Sequence, residues 1–182
     1  DTLDTLAGVP LVVADSELVR STLMPGRLQL GGSGLRRGQK QALWQQDPVL
    51  RQLNSYLTRV AAALKTDAVW VLNAEGDSIA SSNAGTPMSF VGGNYSDRHY
   101  FREAAEGRSG RQFAIGRISK VAGLYLSQPV LVDGRFVGAV ITKRDFSDPS
   151  RWIRQQNAFI SDANGAIVLA QDRALEFRFL PG

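Results

Sequence analysis

The chain of 182 residues has one histidine, His99, and no cysteine. Thiol chemistry and cysteine-ligated zinc are therefore excluded, and a histidine-bearing triad or metal site would have to be built around a single ring. No residue is assigned as catalytic or as a metal ligand, and His99 reads as a surface or packing residue. The glycine pair Gly92-Gly93 matches neither a dinucleotide fingerprint nor a phosphate loop, so no cofactor is implied. What remains is the chemistry of cations and hydroxyls. Between Gly93 and Arg154 lie 11 basic and 6 acidic residues, an excess of 11 − 6 = +5, although the whole chain carries only +4. A local positive field suits a small anion, a phosphate backbone or an acidic surface, and the bland alternative is a solvated basic surface. A nucleic-acid partner would need a basic stripe interleaved with aromatics. Here bases alternate with acids over several elements, and no nucleic acid is expected.

The elements that must position these side chains follow from periodicity. Composition, 43% hydrophobic and 21% charged with 18 glycines, is that of a globular domain and excludes disorder and disulfide scaffolds. The longest nearly apolar stretch, Leu6 to Ala14, is far short of the roughly 20 residues that span a bilayer. No signal peptide is visible, which suits a cut N-terminus. The first 22 or so residues read as helical with a break at Pro10, and Pro25 to Gly34 as a loop. Asp47-Pro48 is an N-cap and first-turn pair. After it Leu50, Leu53, Leu57, Val60 and Leu64 recur at spacings of three and four, which predicts an amphipathic helix over Pro48 to Lys65. Beyond Asp67 the texture is β: Ala68 to Leu72 and Ser78 to Ser82 as a hairpin around Asn73-Ala74-Glu75-Gly76, then a short helix from Asp97 to Glu106 closed by Gly107. The strands Gln112 to Ile118, Leu124 to Val132 and Arg135 to Asp145 follow. The fold class is α+β on an antiparallel sheet.

Val71 to Ala80 is echoed 89 positions later by Ile160 to Leu169, as one turn geometry used twice would demand. The expected organisation is an N-terminal helical region over 1–66, a ligand-binding module over 67–148, and a linker helix with the truncated start of a second module over 149–182.

Four spaced motifs fill the basic stretch: Asn94-Tyr95-Ser96-Asp97-Arg98-His99-Tyr100-Phe101, Ala114 to Ser119, Gly123 to Val130, and Val137 to Asp145. Together they resemble the extracytoplasmic PAS-like sensor modules called PDC or Cache domains, most closely those of DctB-type C4-dicarboxylate sensor histidine kinases. The likeness covers about Leu57 to Asp145. The N-terminal helix and the second-module start at Phe159 suit the double-module version. The resemblance implies a PAS-like antiparallel sheet flanked by helices and preceded by a long helix. It further implies a periplasmic location, a membrane-anchored full-length protein and homodimerisation through the N-terminal helix. It places the motif arginine on Arg98, the Tyr-x-Ser pair on Tyr125 and Ser127, and the strand-terminal lysine on Lys143, around the carboxylates of a small organic acid. Tyr100, Arg117 and Ser119 are second-rank lining residues. The chain departs from the family pattern at Asp97 and His99. Chemoreceptors and cyclic-dinucleotide synthases share such sensors, so the output is not readable, and the fragment itself is not expected to be an enzyme.

These side chains suit a dianion on their own chemistry. Arginine offers a planar fork to a carboxylate, lysine a compact second charge, and tyrosine and serine hydroxyls directional donors. Tyr125 and Ser127 share a strand face. For Lys143 to share it across the hairpin, opposed residue numbers must sum to an even number, which predicts an odd-length loop with Gly134 left-handed. A two-residue Asp133-Gly134 loop without a bulge would turn Lys143 away.

Overall fold

A computed structural model of the chain describes residues 2–26, 34–145, 159–161, 167–170 and 178. Four helices come first: α1 (Thr2–Ala14), α2 (Glu17–Leu23), α3 (Arg37–Gln46) and α4 (Pro48–Ala63). The strands β1 (Ala68–Asn73) and β2 (Ser78–Ser81), helix α5 (His99–Ala105), and the strands β3 (Gly110–Ile115), β4 (Ala122–Val132) and β5 (Arg135–Asp145) follow. The five strands form one antiparallel sheet in the order β2-β1-β5-β4-β3.

Helix α4 forms where its signals place it. Asp47 accepts hydrogen bonds from Val49 N at 2.8 Å and Leu50 N at 3.0 Å, satisfying donors that the first helical turn leaves free. Leu50, Leu53 and Leu57 are fully buried on its inner face. It ends two residues earlier than the pattern predicts, because Lys65 turns left-handed at φ 51°. The N-terminal region differs more from expectation. Pro10 lies inside α1, and the interruption comes instead at Asp15-Ser16, where the Ser16 hydroxyl caps α2 by accepting from Val19 N at 3.3 Å. Burial of Val9, Val13 and Ala14 along α1 outweighs the hydrogen bond the proline removes. Instead of one long helix, two short ones begin the chain.

Alternation with period two sorts the sheet into two faces. Val69, Val71, Val130 and Val140 pack against α1, α2 and α4 together with Trp44. Ala68, Trp70, Leu72, Tyr125, Ala139 and Ile141 turn the other way, toward Phe90, Tyr95 and the inner side of α5.

The β4–β5 connection corrects the loop expected from sequence. Val132 is opposite Arg135, so the loop has two residues, with Asp133 and Gly134 both left-handed at φ 51° and 73°, as a type I′ turn requires. The register then shifts: Leu131 faces Phe136 but Val130 faces Gly138, which leaves Val137 as the extra residue of a bulge. The bulge restores the even sum, and Tyr125 stands directly opposite Lys143. The shared face is as expected; the device that creates it is a bulge and not an odd loop.

The second hairpin repeats the first. In β6 (Phe159–Ser161) and β7 (Ile167–Ala170) the pairs are Phe159 with Ala170, Ile160 with Leu169 and Ser161 with Ile167. Each lies 89 positions beyond a β1–β2 pair: Trp70 with Ser81, Val71 with Ala80, Leu72 with Ser78. The irregularity falls at the same step in both. The turn 162–166 and the linker helix expected from 149 lie outside the described residues.

Candidate ligand-binding site

On the α5 face Trp70 is the centre of an aromatic box. Its ring lies 4.8 Å from Phe90, 6.1 Å from Tyr95 and from Tyr125, and 6.4 Å from Tyr100, and the Tyr100 and Tyr125 rings stack at 5.4 Å with 6° between their planes. These rings, with Arg98 and the segment Gly116 to Ile118, line a small cavity. Its free volume of about 10 Å³ is that of roughly one water molecule. The indole N–H of Trp70 is buried and has no acceptor among the described residues. An unmatched donor of this kind is costly, and an indole can only donate.

Arg98 caps the N-terminus of α5 through its backbone, and its half-buried side chain reaches the cavity. Among the described residues its guanidinium makes one long hydrogen bond, 3.4 Å to Ile115 O, so most of its five N–H groups are uncommitted.

The roof is the β3–β4 loop over residues 116–121, pinned by Gly116 N to Val121 O and Lys120 N to Gly116 O, both 2.9 Å. Lys143 lies beneath it, 2% exposed. Its ammonium donates to Ser119 Oγ at 2.7 Å, pairs with Asp145, and sits 5.8 Å from the centre of the Tyr125 ring. A Cβ on Gly116 would overlap Ser119 Oγ and come within 3.0 Å of Tyr125 OH and 3.2 Å of Lys143 Nζ. Hydroxyls and ammonium therefore converge on one point that only glycine leaves open.

Arg117 lines the cavity from the roof, and its half-exposed guanidinium reaches outward. It donates to Asp97 Oδ2 at 2.7 Å and to Asn94 O at 3.0 Å, latching the loop to the turn before α5. Ser127 shares the face, but its hydroxyl joins backbones, donating to Tyr100 O at 2.6 Å and accepting from Gly110 N at 3.0 Å. It fixes α5 and the edge strand β3 to the sheet. His99 is half-exposed, 4.0 Å from Glu103. No cluster of three His, Asp or Glu suited to a metal occurs among the described residues.

The electrostatics favour an anion. Burial raises the phenols of Tyr95, Tyr100 and Tyr125, and nearby arginines, Arg37 foremost for Tyr95 and Arg98 for the other two, only partly offset it, so all three are neutral across the ordinary pH range. Partial burial raises the Asp97 carboxyl as well, but the Arg117 hydrogen bond and charge outweigh it and hold it below its usual value. With Asp97 on Arg117 and Asp145 on Lys143, Arg98 is the cation at the cavity that has no carboxylate partner among the described residues.

The structure thus brings Arg98, Tyr100, Tyr125 and Arg117 to the cavity wall and stacks Lys143 and Ser119 behind Gly116. Sequence reasoning passed over Trp70 and Asp145. Both carry a parity signal: Asp145 lies two residues beyond Lys143 on the same strand, and Trp70 pairs with Ile141, itself opposite Ser127.

No protein-family model matches the chain. It is 28% identical over 164 residues, 88% of its length, to the C4-dicarboxylate transport sensor protein DctB of Rhizobium meliloti. It is 31% identical over 143 residues, 77% of its length, to the DctB protein of Pseudomonas aeruginosa. The chain spans 23% of the length of each. The crystal structure of the sensor domain of the Vibrio cholerae histidine kinase DctB superposes with a TM-score of 0.76 at 23% identity, over 100% of this chain and 64% of that one.

Proposed function

Starting from a chain that is a PAS-like sensor domain of the PDC/Cache kind, related to DctB-type sensor proteins, we propose that it is the extracytoplasmic ligand-binding part of a bacterial membrane-anchored histidine kinase. Its ligand is a small dicarboxylate of the C4 class. The observation that carries this reading is that Arg98 lines the aromatic box while Lys143 Nζ and Tyr125 OH both lie within 3.2 Å of the point that a Cβ on Gly116, in the wall of the same box, would occupy. One carboxylate takes the Arg98 fork, where charge-assisted bonds are about twice as strong as neutral ones. The other takes Lys143 and Tyr125, while Ser127 holds the Tyr100 wall in place. Tyr100, Arg117 and Ser119 complete the lining.

A cavity with room for one water does not admit a four-carbon acid, so entry requires the 116–121 roof to lift from its Arg117–Asp97 latch. A ligand that prefers one roof position shifts the population toward it, and the differential affinity is the signal. The domain binds its ligand without converting it.

The test is a thermal-shift and calorimetric screen of succinate, fumarate and malate against monocarboxylates and phosphate. The C4 acids are expected to raise the melting temperature by mass action. R98A is expected to weaken succinate by roughly 30-fold or more, the equivalent of about 2 kcal/mol for a lost charged hydrogen bond. A flat response to every acid, or an R98A variant that binds like the parent, refutes the site.

A further inference from the structure

The fold sets one of the chain's own carboxylates on the cation that an incoming acid needs. The Lys143 ammonium has three N–H groups; it donates one to Ser119 Oγ and is ion-paired with the carboxylate of Asp145. Asp145 is two residues further along β5, so its side chain leaves the strand on the same face. It is held there. Its backbone N–H donates to Asp67 Oδ2 at 2.8 Å, and Lys143 O accepts from Thr66 Oγ1 at 2.8 Å and from Asp67 N at 3.0 Å. Opposite Asp145 in the ladder is Gly123, where an added Cβ would lie 3.1 Å from Lys143 Cε. The pair therefore has a built niche.

A second carboxylate on this ammonium would place two anions on one buried cation, where like charges repel more strongly than in water. We propose that Asp145 is an internal counter-anion that competes with the ligand for Lys143, so that binding exchanges one carboxylate for the other. This rests on the cavity being a dicarboxylate site. Exchange frees Asp145 at the end of β5, where Thr66 and Asp67 tie that strand to the turn after α4, so ligand arrival is converted into a change at that junction.

The experiment is succinate titration of the wild type and of D145N, by calorimetry and thermal melting. D145N is expected to melt lower than wild type alone, to bind succinate about tenfold tighter, and to gain more from it in melting temperature. Should D145N not fold alone, it is refolded with succinate present; recovery there supports exchange and failure overturns it. Equal or weaker binding by D145N, with the wild type binding, overturns exchange and leaves the dicarboxylate reading intact. Stabilisation of D145N but not of wild type overturns exchange in the natural chain, where no acid then displaces Asp145, and removes the reading that this chain binds succinate. No stabilisation of either removes both.

Discussion

The two faces of the sheet are built from the same strands and differ in what they bury. The helical face buries valine, leucine, isoleucine and alanine beside Trp44, whose indole N–H has no acceptor among the described residues, and none of its fully buried side chains is ionisable. The α5 face buries three tyrosine rings around Trp70 and a lysine that is 2% exposed. A face selected for stability alone would not keep such groups, because each costs free energy unless paired. The contrast teaches that one face holds the domain together while the other carries its polar unfinished business.

The largest expected effect breaks the helical face. L53A on α4 opens a cavity in a fully buried site and is expected to cost about 2–5 kcal/mol by urea titration, with succinate affinity per folded molecule unchanged. A loss of affinity equal to that of R98A would erase the distinction between the faces.

Next in size is alkaline pH, which acts on the α5 face. Tyr95, Tyr100 and Tyr125 have raised pKa values in the folded state, so their contribution is complete below the unfolded value of about 10 and falls as pH rises through the folded values. Melting temperature is expected to drop above pH 10, with the 295 nm phenolate absorbance of these rings appearing only on unfolding. Full phenolate absorbance in the folded protein at pH 11 would contradict the burial argument.

The smallest effect separates packing from donation at the centre of the box. W70F keeps a ring and removes an N–H that has no acceptor among the described residues. It is expected to change stability by no more than about 1 kcal/mol and to weaken succinate about fivefold. A fall in stability as large as that of L53A would make Trp70 a core residue like those opposite.

Much of this was legible in the sequence because local rules were obeyed. Asp47-Pro48 and the leucines at 50, 53 and 57 fix α4, and alternation along β1, β4 and β5 sorts the faces. Parity arithmetic placed Tyr125 and Lys143 together, yet it named the wrong device, since a bulge at Val137 leaves no clear mark among the apolar residues 136–141. Pro10 misled because tertiary burial of its neighbours overrode a local preference. The partners of Ser127, Tyr100 O and Gly110 N, depend on how α5 and β3 meet the sheet, which no local pattern encodes. Asp145 was within reach of the same parity rule as Lys143, but its meaning appears only once the ammonium is seen to be buried.

The central claim is that two cations on one face share a single dianion, and a crystal structure of the domain grown with succinate tests it most directly. The expected result is one carboxylate on the Arg98 guanidinium, the other within hydrogen-bond distance of Lys143 Nζ and Tyr125 OH, and the 116–121 loop displaced from the position described above. Succinate bound outside the aromatic box, or held by Arg98 alone with Lys143 still on Asp145, would contradict it.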